Sequence, residues 1–279
     1  MEDPVRQEEI GEYRVSVYYD IDPLCPCTDW DLCGLFLWEY ERHGGLSSAC
    51  NYHEFYDTNR GHILKDCLRQ LVETYVPWKR FVKHIKDKNV TNLLLEYSRE
   101  QNLWKLLSCP TSNWSGNDKY YTAFELTPSE MKDGGYFNEF LQYFDEDDIV
   151  SLLDKEAKDI AIACWQTRGY CQGDYCEGIA YCDKERFNKM CGRKDKPWRE
   201  AAEECMLDEA ETLGKWMWGD VYGFVLEKKV HYTKVYDDSE RSDEDDFEWE
   251  KVDSCWGYFT SPDELVDEVI QEHNLKETA

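Results

Sequence analysis

The sequence predicts an α+β protein: a mixed, mainly antiparallel sheet with a helical insertion, in two closely packed lobes. Three observations carry this. Stretches of period-two alternation recur near both ends of the chain, stretches of helical spacing lie between them, and the βαβαβ rhythm of a parallel sheet is absent. Phe, Trp and Tyr make up 15% of the 279 residues, so a core large enough to oppose the self-repulsion of a −27 net charge is available. The expected organisation is residues 1–60 as an N-terminal strand and aromatic, Cys-rich segment of the core. Residues 61–110 then form a basic helical insertion, and 111–279 an acidic lobe completing the core.

Residues Tyr13 to Tyr19 alternate and are β-branched or aromatic, which predicts a strand; a turn-rich stretch and an apolar segment, Leu35 to Tyr40, follow. Ile63, Cys67, Leu68, Leu71, Val72 and Tyr75 recur at helical spacing until Pro77 forces a break. Two more helices are expected, Trp78 to Ile85 and Asn92 to Leu107. Residues 108–144 read as irregular and aromatic, with a polar loop at 112–118 and a helix start at Thr127-Pro128-Ser129-Glu130. An acidic helix, Asp145 to Lys158, precedes strands at Ile160 to Trp165 and Gly178 to Cys182. Trp198 to Trp218 is the longest expected helix. Val221 to Glu227 and Val230 to Tyr236 are expected to pair as a hairpin. Asp237 to Asp246 is expected to be a mobile acidic loop, followed by strands at Phe247 to Val252 and Trp256 to Phe259. Ser261-Pro262-Asp263-Glu264 opens a final helix reaching about His273.

Charge narrows the function classes. With 59 Asp and Glu against 32 Lys and Arg, the surface repels phosphate backbones and attracts basic ones, so no direct nucleic-acid binding is expected. The exception is residues 60–105, with ten basic residues against five acidic. The candidate partner-binding residues are therefore the acids Asp237, Asp238, Glu240, Asp243, Glu244, Asp245, Asp246 and Glu248 and the bases Lys79, Arg80, Lys83 and Lys86. The acidic N-terminus lacks a signal-peptide stretch, and no apolar run reaches the roughly 20 residues of a membrane helix, so a cytoplasmic protein without membrane contact is expected.

Catalytic motifs are missing. There is no phosphate-binding Gly-rich loop, H-E-x-x-H or G-x-S-x-G. His53-Glu54 is the nearest approach to an acid–base pair, and Asp174, Asp220 and Asp253 sit in turn-like settings that suit caps better than catalysis. No catalytic residue and no cofactor are expected. Thirteen cysteines in a reducing compartment read first as free thiols. Cys25, Cys27 and Cys33, or Cys171, Cys176 and Cys182, are the alternative as zinc ligands, without the paired C-x₂-C spacing of zinc fingers.

Three patterns occur in order: Tyr13 to Asp20 leading to Asp29-Trp30-Asp31-Leu32-Cys33-Gly34; Gly169-Tyr170-Cys171-Gln172-Gly173-Asp174-Tyr175; and Gly219-Asp220-Val221-Tyr222-Gly223-Phe224 with Asp253-Ser254-Cys255-Trp256-Gly257-Tyr258. This set resembles a family of bacteriophage- and prophage-encoded proteins with a P-R-x-W-D-N-L-G-like motif, a G-D-V-Y-G-F strand and a D-S-C-W-G segment. Here Cys27-Thr28-Asp29 stands where the family has Pro-Arg, and Leu32-Cys33-Gly34 where it has Asn-Leu-Gly. Size and acidity are also similar to phage anti-defence proteins that assemble around the Gabija nuclease complex. The resemblance implies a non-catalytic inhibitor in the host cytoplasm that binds a bacterial defence complex, blocking its DNA binding or cleavage. It would act by acidic DNA mimicry or by enclosure as a homo-oligomer. The alternatives are a metal-dependent enzyme acting on nucleotides or proteins, and a phage structural or regulatory protein without a defence target.

Overall fold

The alternation of Tyr13–Tyr19 puts Val15 and Val17 on one face of strand β2, and both are buried. The computed structural model describes residues 3–42, 45–50, 63–87, 90, 93–109, 120–170, 175–234 and 244–275. In it, Arg6–Ile10 (β1), β2, Tyr222–Lys234 (β10) and Glu244–Tyr258 (β11) line up in that order as an antiparallel sheet. A helix at Pro262–Glu272 (α9) packs Leu265, Val266 and Val269 against Val15, Val17, Tyr222, Phe224 and Leu226. Its start is a capping box: Ser261 Oγ accepts from the Glu264 N–H, and the Glu264 carboxylate accepts from the Ser261 N–H.

This sheet belongs to one of two compact units, Met1–Trp30 with Glu211–Ala279, which also holds a one-turn helix at Pro26–Asp29 (α1). The second unit is Asp31–Ala210. Its larger sheet is antiparallel, with Gly45–Cys50 (β4), Leu35–Arg42 (β3), Tyr175–Asp183 (β9) and Ile160–Arg168 (β8) as neighbours in that order. Leu93–Ser98 (β5), Leu103–Ser108 (β6) and Tyr121–Leu126 (β7) form a meander. Helices at Ile63–Tyr75 (α2), Trp78–Lys86 (α3), Pro128–Asp133 (α4), Phe137–Leu141 (α5) and Glu146–Glu156 (α6) contribute to one apolar core with residues of both sheets. Trp78 stacks on Phe81 and meets Phe137 and Phe140 edge-on, while its Nε1 donates to the Met131 carbonyl at 2.9 Å. Lys184–Met190 (α7) and Trp198–Trp218 (α8) complete the elements, and the unit boundary falls within α8.

The α+β, mainly antiparallel class is as expected, and so are the capping box at Thr127 and the limits of α8. The boundaries expected at 60/61 and 110/111 both lie inside the second unit. Four element expectations are corrected. The helix expected over Asn92 to Leu107 is the β5–β6 hairpin. Its leucine runs fit either period, and Asn102 in the left-handed region (φ 54°) with a Tyr97–Trp104 cross-strand contact at 5.2 Å selects the turn. The hairpin expected within 221–236 is instead one strand, β10, as far as Lys234, because Lys228-Lys229 has no turn chemistry and the ladder to β11 runs unbroken from Glu227 to Lys234; residues 235–236 lie outside the described set. The two strands expected over 247–259 are likewise one. Finally, Glu244, Asp245 and Asp246 belong to β11 rather than to a loop; residues 235–243 lie outside the described set. Among the described residues, no helix is long and apolar enough to cross a membrane.

Candidate functional site

From Asp246 to Trp256, the acids and the large aromatic side chains of β11 fall on opposite faces of the sheet. Directly paired residues of neighbouring strands share a sheet face. Tyr232, Val230, Lys228 and Leu226 of β10 pair with Asp246, Glu248, Glu250 and Asp253 of β11. All four acids therefore lie on the face that carries α9. On the other face His231, Lys229, Glu227 and Gly223 pair with Phe247, Trp249, Lys251 and Trp256. Simple alternation would put Asp253 with the aromatics. A bulge at Val252 rephases the strand and returns Asp253 to the acidic face.

Acids of α9 add to that face's charge: Asp263, Glu264, Asp267, Glu268 and Glu272 are exposed. Asp246 accepts from the Tyr232 hydroxyl at 3.3 Å, and Asp253 lies 3.3 Å from His273 Nε2. The first unit carries 27 Asp or Glu against nine Lys or Arg, net −18, leaving −9 for the larger second unit. The aromatic face is held by cations. Arg14 sits 4.5 Å over Trp249 while pairing with Glu227 at 2.6 Å, and Lys229 Nζ is 3.9 Å from the Phe247 ring centre.

The register that sorts these faces is pinned by two motifs found in the sequence. Gly223 pairs with Trp256, whose ring occupies the space where a side chain would stand: a Cβ at 223 would lie 2.1 Å from Trp256 Cε3. Tyr18 lies 6.4 Å from the same ring, and Gly257 takes the positive φ (87°) of the bulge that brings Tyr258 opposite Tyr222. The G-D-V-Y-G-F and D-S-C-W-G segments thus form one cross-strand device.

The four basic candidates all lie on the exposed side of α3, opposite the buried Phe81, Val82, His84 and Ile85. Arg80 donates to the Glu156 carbonyl at the end of α6, and the Lys86 ammonium stands 4.0 Å over Trp104. Lys79 and Lys83 are exposed. Of the acidic candidates, Asp246 and Glu248 are placed on β11. Glu244 and Asp245 are in the same strand, and Asp237, Asp238, Glu240 and Asp243 lie outside the described residues. Glu250 and Asp253 were not among the candidates. The period-two spacing 246, 248, 250 was a readable signal for the first; nothing in the sequence marked the bulge that recruits the second.

A separate cluster surrounds the Leu32-Cys33-Gly34 segment in the second unit. The Glu209 carboxylate accepts the N–H groups of Cys33 (2.6 Å) and Gly34 (2.8 Å), while Arg186 donates to the carbonyls of Leu32 and Cys33. Cys33 Sγ stands 3.9 Å from Cys182 Sγ, and Cys205 Sγ 3.8 Å from Glu209. The Cys33 thiol is pushed up by its hydrogen bond to Cys182 and by burial, and the Cys205 thiol by burial and the Glu209 charge. These thiols stay protonated at neutral pH, which suits packing rather than nucleophilic attack. Of the alternative zinc sets, Cys25, Cys27 and Cys33 are not gathered as ligands, and Cys171 of the other set lies outside the described residues; Cys33 meets Cys182, and among the described residues no group of three His, Cys, Asp or Glu could hold a metal ion. His53, Glu54 and Asp174 are also outside the described set. Asp220 accepts from the Tyr222 hydroxyl at 3.4 Å.

The chain matches no protein-family model, no curated protein and no solved structure.

Proposed function

We propose that this protein is a phage-encoded, non-catalytic anti-defence inhibitor that acts in the host cytoplasm. Through the acidic face of β11 and α9 it engages the basic DNA-binding surface of a bacterial defence nuclease complex and denies that surface to DNA. The observation that carries the reading is the register-enforced gathering of Asp246, Glu248, Glu250 and Asp253 on one face, beside the exposed acids of α9. An array of fixed carboxylates on a rigid sheet presents the charge that such a surface evolved to meet. The phage-like motif set directs the first trial to the Gabija complex. Enclosure of the target by a homo-oligomer is the second form of the same reading, favoured by the exposed basic side of α3, which complements acidic surfaces of other copies.

The test is association with a purified Gabija nuclease complex, in pull-down and DNA-cleavage assays, at several salt concentrations. Inhibition that weakens steeply as salt rises supports acidic mimicry, because exposed charges are screened within about 10 Å at 0.1 M. Inhibition indifferent to salt, together with self-association, supports enclosure. Neither association nor inhibition would end the assignment to this target.

A further inference from the structure

A sheet has two edges, and the two in the first unit differ. β1 is five residues long and is tied by Arg6 to Asp263 of α9 at 2.9 Å. β11 is fifteen residues long, pairs with β10 on one side, and among the described residues has no strand on the other. Residues Glu250–Asp253 and Cys255–Gly257 are exposed, as are Phe247 and Glu248. Proteins commonly blunt such an edge with charged side chains, lysine above all, with proline, with bulges or with brevity. β11 is long and has over residues 246–258 one lysine, Lys251, and no proline; its bulges fall at Val252 and Gly257, so Asp246–Lys251 is the regular stretch of the edge and the acids there select a basic partner.

We infer that the outer edge of β11 is a strand-addition site for an extended partner segment in which basic and apolar residues alternate. This deepens the proposed function by naming how that partner is held. The two faces of β11 dictate the alternation. An added strand hydrogen-bonds to the edge backbone and sends alternate side chains to opposite faces. On one face they stand beside Glu248 and Glu250, where Lys or Arg makes favourable cross-strand pairs. On the other they stand beside Phe247 and Trp256, 42% and 49% exposed, where Val, Ile or an aromatic covers apolar surface. A second β11 is a poor occupant, since it would bring carboxylates opposite carboxylates.

The test uses the full-length protein and two peptides of identical composition, acetyl-(Lys-Val)₄-amide and its block isomer acetyl-(Lys-Lys-Val-Val)₂-amide. Bulk charge attraction treats them alike; strand addition does not. The expected result is that the alternating peptide binds at least about tenfold more tightly, a difference that a few cross-strand pairs supply, and slows hydrogen exchange of β11 amides. Methylating the backbone nitrogen of every residue of the peptide, so that neither of its edges can donate, should remove both effects, and so should Glu248→Lys with Glu250→Lys. Equal binding of the two isomers, or binding without β11 protection, would overturn the inference. Inhibition of a nuclease complex could then still be found, so failure here is separable from failure of the proposed function.

Discussion

Replacing Gly223 by Ala tests whether the Trp256–Gly223 pair sets the register of β11. The new Cβ would stand 2.1, 2.4 and 2.8 Å from three atoms of the Trp256 ring, against a comfortable separation of about 3.5–4.0 Å between carbons. The ring must leave. Trp256 is 49% exposed, so about half of a surface of roughly 150–250 Å² is at stake. At about 25 cal/mol per Å² this is roughly 2–3 kcal/mol as an upper bound, since a displaced ring recovers some contact. The expected destabilisation is about 1–2 kcal/mol, read as a lower urea midpoint at unchanged slope. Trp256→Ala alone loses the same contacts and should cost a similar amount. In the double variant the added methyl meets no ring, so its stability should match Trp256→Ala within about 0.5 kcal/mol, a coupling of at least 1 kcal/mol. Additive effects, or a neutral Gly223→Ala, would refute the claim that the two motifs act as one device.

Two further outcomes follow from the second unit. Glu209→Ala leaves the Cys33 and Gly34 N–H groups without their acceptor and should destabilise by roughly 1–3 kcal/mol, whereas Glu209→Gln, which keeps one acceptor oxygen, should cost less; thermal unfolding distinguishes them. His84 is 1% exposed, and burial lowers its pKa below the ordinary 6.5, with Glu156, 3.7 Å away, opposing the shift. A base with a lowered folded-state pKa binds its proton better when unfolded. Its contribution is therefore complete above pH 6.5 and is lost as pH falls from there through the folded pKa. The fall in stability on acidification below 6.5 should be smaller in His84→Leu than in the parent; parallel pH profiles would show that His84 is not the group responsible.

Much of the fold was legible because local chemistry was unambiguous. Thr127 and Glu130, or Ser261 and Glu264, satisfy each other's backbone groups wherever they occur, so these helix starts could be read directly. Trp198–Trp218 contains neither proline nor a strong turn, and its limits followed. The 92–107 segment failed because apolar runs such as Leu93-Leu94-Leu95 suit both periods, and the left-handed Asn102 that decided for a hairpin is stabilised only once Tyr97 and Trp104 meet across it. Strands β1, β4 and β7 and helix α7 also escaped notice, since short elements carry too few residues to show a period.

The same division holds for the candidate site. The sequence alone determined the sign and size of the charge, its concentration towards the C-terminus, and the basic stripe of α3, since each is a property of which residues are present and how far apart they lie along one element. It also held the two glycine–aromatic motifs, without saying that they touch. Only the tertiary structure decided that Trp256 lies on Gly223, that a bulge at Val252 returns Asp253 to the face of Glu248 and Glu250, and that β11 stands last in its sheet among the described residues. The deciding pairs, Leu226 with Asp253 and Gly223 with Trp256, join residues distant along the chain, and a shift of one residue would send every side chain to the opposite face. The acidity was written in the composition; the surface that can use it exists only once those strands are paired.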